Sequence, residues 1–302
     1  MRFSEEDFIT VERCLFCGGI TRKMGVYLKT PLICHTKCMG CCAVSYDKII
    51  KPEKIAALYA NYAYFSETKS KVTFSNVDRF ACHLFRYCKK FSNVLNLNNR
   101  ELKIMDVGGG DGALSYALAQ KLIESKVCPK VNIAVIDYEK SLIQSKCENV
   151  TLEHFDSLEL IDSKKSFDII VASAVLEHLP NLGADWKRIV SHFADNGLMY
   201  IRTPYKYPLF NLLRKVGIRI SLHFPEHIWD LGGDFYKYLE TDGLKLVVSR
   251  PSIVETSFKM KFFTSLAAHC LKALWFICRL WPFVGGWEAV LIKNEQAIPK
   301  RK

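Results

Sequence analysis

The chain has 302 residues, 49% of them hydrophobic and 24% charged, with a formal net charge of +11 and a pI of about 9.0. That composition supports one full α/β core with a small appendage and excludes a protein dominated by disorder. A basic chain favours acidic partners, but its positive residues are scattered, with only short groups such as Lys164-Lys165 and Lys300-Arg301-Lys302. This describes a generally basic surface better than a nucleic-acid groove.

Six of the 12 cysteines fall between Cys14 and Cys42. Cys82, Cys88, Cys128, Cys147, Cys270 and Cys278 stand singly in apolar stretches and are expected as small buried hydrophobes. Met1 to Thr10 carries acids and no apolar signal region, which predicts a cytoplasmic protein with metal-binding cysteines rather than disulfides. Cys14-Leu-Phe-Cys17 and Cys38-Met-Gly-Cys41 are two Cys-x-x-Cys pairs at the long end of the ~15–20 residue spacing of zinc sites. Two such turns can present four thiolates tetrahedrally, closing a structural Zn²⁺ site. Cys34, His35 and Cys42 lie close enough in sequence to leave the ligand set open. Val11 to Ile50 is otherwise expected to be irregular.

A helical stretch follows from Pro52 to Phe91. Phe74, Val77, Phe80, Ala81, Leu84, Phe85, Cys88 and Phe91 form a stripe of helical period that predicts packing on the main domain. Strands and helices then alternate: strands at Lys103 to Val107, Val131 to Ile136 and Phe167 to Ala172, and a helix at Asp111 to Glu124. A second helix carries Trp186, Ile189, Val190 and Phe193 and ends at Asn196-Gly197, before a strand at Leu198 to Ile201. Alternation of this kind implies a parallel sheet covered on both faces. Phe258 to Trp287 is apolar but broken by Lys259, Lys261, His269, Lys272 and Arg279, so it is too interrupted to span a bilayer. Leu266, Cys270, Ala273, Leu274, Ile277 and Trp281 predict a helix packed on the sheet or lying over the substrate. A peripheral membrane contact through 258–287 is the alternative.

The segment Asp106-Val-Gly108-Gly-Gly110-Asp-Gly112-Ala113 carries the chemistry. A buried strand ends in an acid and turns through glycines into a helix, so bare backbone can approach a ligand and open N–H groups can meet an anion. Gly108-x-Gly110-x-x-Ala113 also fits a dinucleotide fingerprint, the mark of an NAD-linked oxidoreductase. Acids at later strand ends favour a different cofactor, S-adenosylmethionine (SAM). Asp106 can meet an ammonium and Asp137 can accept two ribose hydroxyls, with Tyr138 on the adenine face. Asp156 can accept from the adenine amino group, beside Phe155.

This order resembles the class I SAM-dependent methyltransferases. The stretch Ser166-Phe-Asp168 to Val175-Leu-Glu177-His178-Leu-Pro-Asn181 is similar to an element of methyltransferase family 23. The resemblance implies an α/β fold with a Rossmann-like seven-stranded sheet, helices on both faces, and Leu244 to Val248 and Trp287 to Ile292 as the final pair. It implies that Asp106, Gly108, Gly110 and Gly112 surround the methionine part and that Ser173 lines the floor near the methyl group. The cysteine ribbon, together with Lys51 to Tyr62 and the aromatic Tyr59 to Phe65, resembles the start of sugar C-methyltransferases. In those enzymes a Glu-His pair before an aromatic residue lies in the substrate pocket, and Glu226-His227 matches it. His178 is a further catalytic candidate, and the pair Glu177-His178 is left between direct contact with ligand and a loop-ordering role.

The expected organisation is a cysteine-rich zinc-ribbon-like segment at 1–50, a helical lid or linker at 51–95, a SAM-binding core at 96–250, and a hydrophobic helix with the last strand at 251–302. The expected function is methyl transfer to oxygen or carbon of a small-molecule, sugar-like or nucleotide-sugar acceptor. The alternatives are a zinc-ribbon RNA methyltransferase and a non-catalytic binding module.

Overall fold

A computed structural model describes residues 4–51, 53–54, 77–92, 100–138, 140, 142–218, 225–240, 243–252, 270, 272–279 and 284–293. Most of the expected lid, including Tyr59 to Phe65, and Leu266 and Trp281 lie outside the described residues.

The sheet grows from the repeated β–α units. Strands β6 (Leu102–Val107), β7 (Val131–Ile136), β8 (Val150–Phe155), β9 (Phe167–Ser173), β10 (Phe193–Pro204), β11 (Leu244–Pro251) and β12 (Gly286–Lys293) stand in the order β11-β12-β10-β9-β6-β7-β8. Pairings from β8 to β10 are parallel, whereas β12 runs antiparallel to both β10 and β11. This is the seven-stranded sheet and final pair that the family resemblance implies.

Side chains alternate between the two faces of each strand. Leu102, Ile104, Val131, Ile133, Ile169, Val171, Leu198 and Tyr200 form one core with helices α1 (Val77–Lys90) and α2 (Ala113–Glu124). Met105, Val107, Ile136, Phe167, Ile170, Met199 and Ile201 form the other with α3 (Leu182–Ser191) and α5 (Gly233–Tyr238). Helix α4 (Tyr207–Lys215) follows β10.

Four expectations are corrected. The cysteine-rich segment is not irregular: β2 (Thr21–Lys29), β3 (Leu32–Cys38) and β4 (Val44–Tyr46) form a three-stranded antiparallel sheet, and β1 (Phe8–Thr10) pairs with β5 (Lys48–Ile50). Helix α3 stops at Ser191, and Asn196-Gly197 instead interrupts the register of β10 between Phe193 and Leu198, with Asn196 at φ 59°. Phe193 is buried beside Phe167, and that burial draws the residues after Ser191 into the sheet. Cys270 and Cys278 are exposed, not buried. The tail helix presents the opposite face to the one expected. Ile277 is 85% exposed, while Lys272 is buried and Trp275 packs edge-on against Trp287 at 5.1 Å. The larger indole contact prevails over the aliphatic stripe because aromatic rings carry more buried area. Among the described residues no helix is long and apolar enough to cross a membrane.

The cysteine-bearing sheet is docked on the large one. Phe16 packs edge-on against Phe235 at 4.9 Å, and β4 bridges Val44 to Asp230. Gly183 opens α3 beneath this contact: a Cβ there would lie 2.5 Å from the Phe16 carbonyl oxygen.

Candidate functional site

The loop between β6 and α2 forms one edge of the site. Gly108, Gly110 and Gly112 all adopt left-handed backbone, at φ 68°, 56° and 79°. At Gly108 a Cβ would also strike Val175 at 2.6 Å, so the loop presses on the chain leaving β9. Gly110 has open space where a side chain would stand. Its N–H donates to Asp137 Oδ2 at 2.8 Å, tying the loop to the end of β7.

Asp106 is 2% exposed, and its Oδ2 has no hydrogen-bond partner among the described residues. An orphaned carboxylate oxygen in a buried setting is costly and marks a place where a ligand donor fits. Burial, assisted by the nearby Asp137 and Asp111 charges, raises its pKa to about 6 despite a hydrogen bond from Ser115. Tyr138, beyond β7, is 82% exposed. Asp156 is exposed, 3.4 Å from Lys140 Nζ and 3.7 Å from His154 Nδ1. Phe155 is half-buried under Lys165 Nζ, and half-buried Ser173 ends β9.

The second edge assembles residues far apart in sequence. Glu177 is 1% exposed, and its carbonyl accepts from the N–H groups of Ile228 and Trp229 at 2.8 and 3.2 Å. His178 Nδ1 lies 3.0 Å from the Glu226 carbonyl oxygen. The His178 and His227 rings meet edge-on at 4.7 Å. Burial pushes the Glu177 carboxyl up to about 8, opposed by its own backbone N–H and by Arg202 and Lys206. Burial also raises Glu226 above the usual carboxylate range. Asp230, whose pKa burial raises to about 7, accepts from Lys206 N–H at 3.0 and 3.1 Å, one contact to each carboxylate oxygen.

Of the three catalytic candidates, His178 and His227 come together, and Glu226 adjoins them through its backbone. Sequence reasoning left Glu177-His178 between a loop-ordering role and direct contact with ligand, and did not foresee that Glu177 Oε2 is buried with no hydrogen-bond partner among the described residues. The acid-histidine pair was visible, but nothing in the sequence reports desolvation. It also missed a buried network on the far face, where Glu288 binds His83, Tyr87, Tyr200 and Arg250 at 2.7–3.0 Å. A lone acid in an apolar strand was its one visible signal.

The four thiols of Cys14, Cys17, Cys38 and Cys41 lie within 4.8 Å of one another. Cys14 and Cys41 Sγ are 3.6 Å apart, and Cys17 and Cys38 Sγ 3.4 Å. Backbone N–H groups of Gly40 and Cys41 point at Cys38 Sγ, at 3.3 and 3.4 Å. The Cys14 thiol is drawn below the usual range by Cys41 and by backbone N–H groups. Cys34 and His35 stand elsewhere, His35 stacked against Tyr46 at 5.1 Å with its pKa pushed down to about 4 by burial.

A family model described as a methyltransferase domain matches residues 79–247. That is more than half of the chain, which belongs to this family, the family 23 type of class I SAM-dependent methyltransferases. The ubiquinone biosynthesis O-methyltransferase of Bradyrhizobium diazoefficiens is 32% identical over 124 residues, 38% of this chain and 46% of that protein. The malonyl-(acyl-carrier protein) O-methyltransferase of Bacillus cereus is 26% identical over 107 residues, 34% of this chain and 37% of that protein. The chain thus spans less than half the length of these curated relatives. The solved structure of a plantazolicin methyltransferase in complex with SAH aligns over 81% of this chain and 91% of its own, at 15% identity and TM-score 0.46.

Proposed function

We propose that the protein transfers a methyl group from SAM to a hydroxyl oxygen of a small molecule. The observation that carries this reading is the buried Oδ2 of Asp106, without a hydrogen-bond partner among the described residues, beside the open cradle at Gly110. These residues fit the cofactor: a carboxylate suits its ammonium, and bare backbone admits its methionine part. Asp137 would hold the ribose, Tyr138 and Phe155 would flank the adenine, Asp156 would accept from the adenine amino group, and Ser173 would line the floor. SAM supplies a methyl group made electrophilic by a sulfonium.

The chain's own task is alignment and proton removal. His178, His227 and Glu226 border the proposed acceptor position, and the Glu226 carboxylate, which burial makes more basic, can take the hydroxyl proton. Bound SAM would supply the methyl group, its sulfonium leaving as the neutral thioether, while the base on this chain would hold the hydroxyl proton. Oxygen is the favoured acceptor atom because both relatives above are named O-methyltransferases. A sugar-like or nucleotide-sugar acceptor remains within this reading.

Calorimetric titration with SAM tests it. One equivalent should bind, and Asp106→Ala should weaken binding at least 100-fold. Failure of the intact protein to bind SAM or SAH would remove the reading. Labelled SAM offered with phenolic, sugar and RNA acceptors then reads the acceptor class.

We further infer that Cys14, Cys17, Cys38 and Cys41 hold a structural Zn²⁺. Four thiolates at ~2.3 Å from a tetrahedral ion stand about 3.8 Å apart, close to the separations above. Such a site belongs with reduced thiols, which suits the cytoplasm. Metal analysis of the purified protein should find one zinc, lost in Cys38→Ser.

The tail helix supports a peripheral membrane contact, since Leu274, Phe276 and Ile277 are exposed on it while Arg279 lies 3.9 Å over the Trp275 ring. Flotation with anionic vesicles should carry the protein upward, and full retention in the soluble fraction would remove this contact.

A further inference from the structure

The acceptor edge holds a second possible metal-ligand group. One ligand atom each from Glu177, His178 and His227 lie within 4.8 Å of one another. The buried Glu177 Oε2 has no hydrogen-bond partner among the described residues. A buried carboxylate left in this state calls for a cation or donor that the fold itself does not provide.

The His178 imidazole is oriented for such a cation. A carbonyl oxygen only accepts, so the 3.0 Å contact between His178 Nδ1 and the Glu226 oxygen puts the proton on Nδ1. In the neutral ring the lone pair is then on Nε2, which lies 3.9 Å from Glu177 Oε1. An outer N–H held by a carbonyl is how proteins fix the tautomer and aim of a ligating histidine. The contacts of Ile228 and Trp229 N–H with the Glu177 carbonyl clamp the His227 segment against the first two residues.

We propose that Glu177, His178 and His227 form a binding site for a divalent transition-metal cation that positions the acceptor's oxygen. Two imidazoles and one carboxylate suit such ions and leave coordination positions open for water or a substrate oxygen. The location fits this role, because Val175, two residues before Glu177, packs on Gly108 of the cofactor loop. The acceptor class is a phenol, catechol or other hydroxyl able to serve as a ligand. That last step rests on the methyl-transfer reading, whereas the metal site does not.

The test uses the full chain with zinc retained in its four-cysteine site, titrated with Mn²⁺ and followed by the electron paramagnetic resonance of free Mn²⁺. Manganese favours oxygen and nitrogen over thiolate, so it reports this site rather than the ribbon. One equivalent should bind, with His227→Asn and Glu177→Gln each weakening it at least tenfold. Glu177 is buried, so Glu177→Gln can also disturb folding. His227→Asn, at a half-buried position, keeps the test decisive, with SAM calorimetry on the same sample as the check of the fold. No Mn²⁺ bound at millimolar concentration, or equal affinity in a folded His227→Asn protein, overturns the site. SAM binding without Mn²⁺ binding removes only this inference. Mn²⁺ binding without SAM binding removes the methyl-transfer reading and leaves the metal site standing.

Discussion

The two edges of the site are built in opposite ways. The cofactor edge is one contiguous strand, loop and helix, from Leu102 to Glu124, joined by the end of β7. The acceptor edge is assembled from the chain after β9, the segment before α5 and, through the Val44–Asp230 bridge, the cysteine-bearing sheet. Local geometry makes the first, so it should survive damage elsewhere. Tertiary contacts make the second, so it should depend on the ribbon.

Asp106→Asn is the sharpest way to separate the edges. It should reduce SAM affinity at least 100-fold while leaving Mn²⁺ binding intact. Because burial disfavours the charge, the apo variant should be no less stable than wild type at pH 7. The shift from 3.8 to about 6 corresponds to at most about 3 kcal/mol of relieved cost, readable by denaturant titration. A large loss of apo stability would show that Asp106 is structural.

Removing the zinc proposed for the four cysteines with a chelator, or by Cys38→Ser, should lower the melting temperature by roughly 10 °C. Acceptor turnover should fall, and SAM affinity should change less than threefold. Equal loss at both edges would break the comparison.

Gly183→Ala places a methyl against the Phe16 carbonyl and should cost about 1–3 kcal/mol in chemical denaturation. The Michaelis constant for the acceptor should rise with little change for SAM.

The smallest effect is in pH. Asp106 has a folded-state pKa raised to about 6 from 3.8, so the apo fold binds this proton more tightly than the unfolded chain. Its contribution to stability is present below about pH 4 and is lost as pH rises through about 6. Cofactor binding runs the other way, because an ammonium needs the carboxylate. SAM affinity should fall up to tenfold per unit below pH 6 in isothermal titrations, and a flat profile would detach Asp106 from the cofactor.

The order of legibility follows the same division. The short apolar runs and the glycine turn are local signals, so β6, β7 and β9 could be read directly, whereas the final pair followed from the family resemblance. The tail helix misled because its aliphatic stripe and its aromatic face compete, and only contact with Trp287 decides between them. The ribbon's strands escaped notice because cysteines and short polar runs obscure alternation.

From the sequence alone followed the alternating α/β core, the Asp106-to-Gly112 loop and the two Cys-x-x-Cys pairs, each set by residues close in the chain. The tertiary structure alone decided that Glu177 Oε2 is buried with no hydrogen-bond partner among the described residues, that His178 and His227 meet edge-on, and that the cysteine-bearing sheet bridges to Asp230 beside them. Burial and long-range approach arise from packing whole elements together, and no local pattern of residues encodes them.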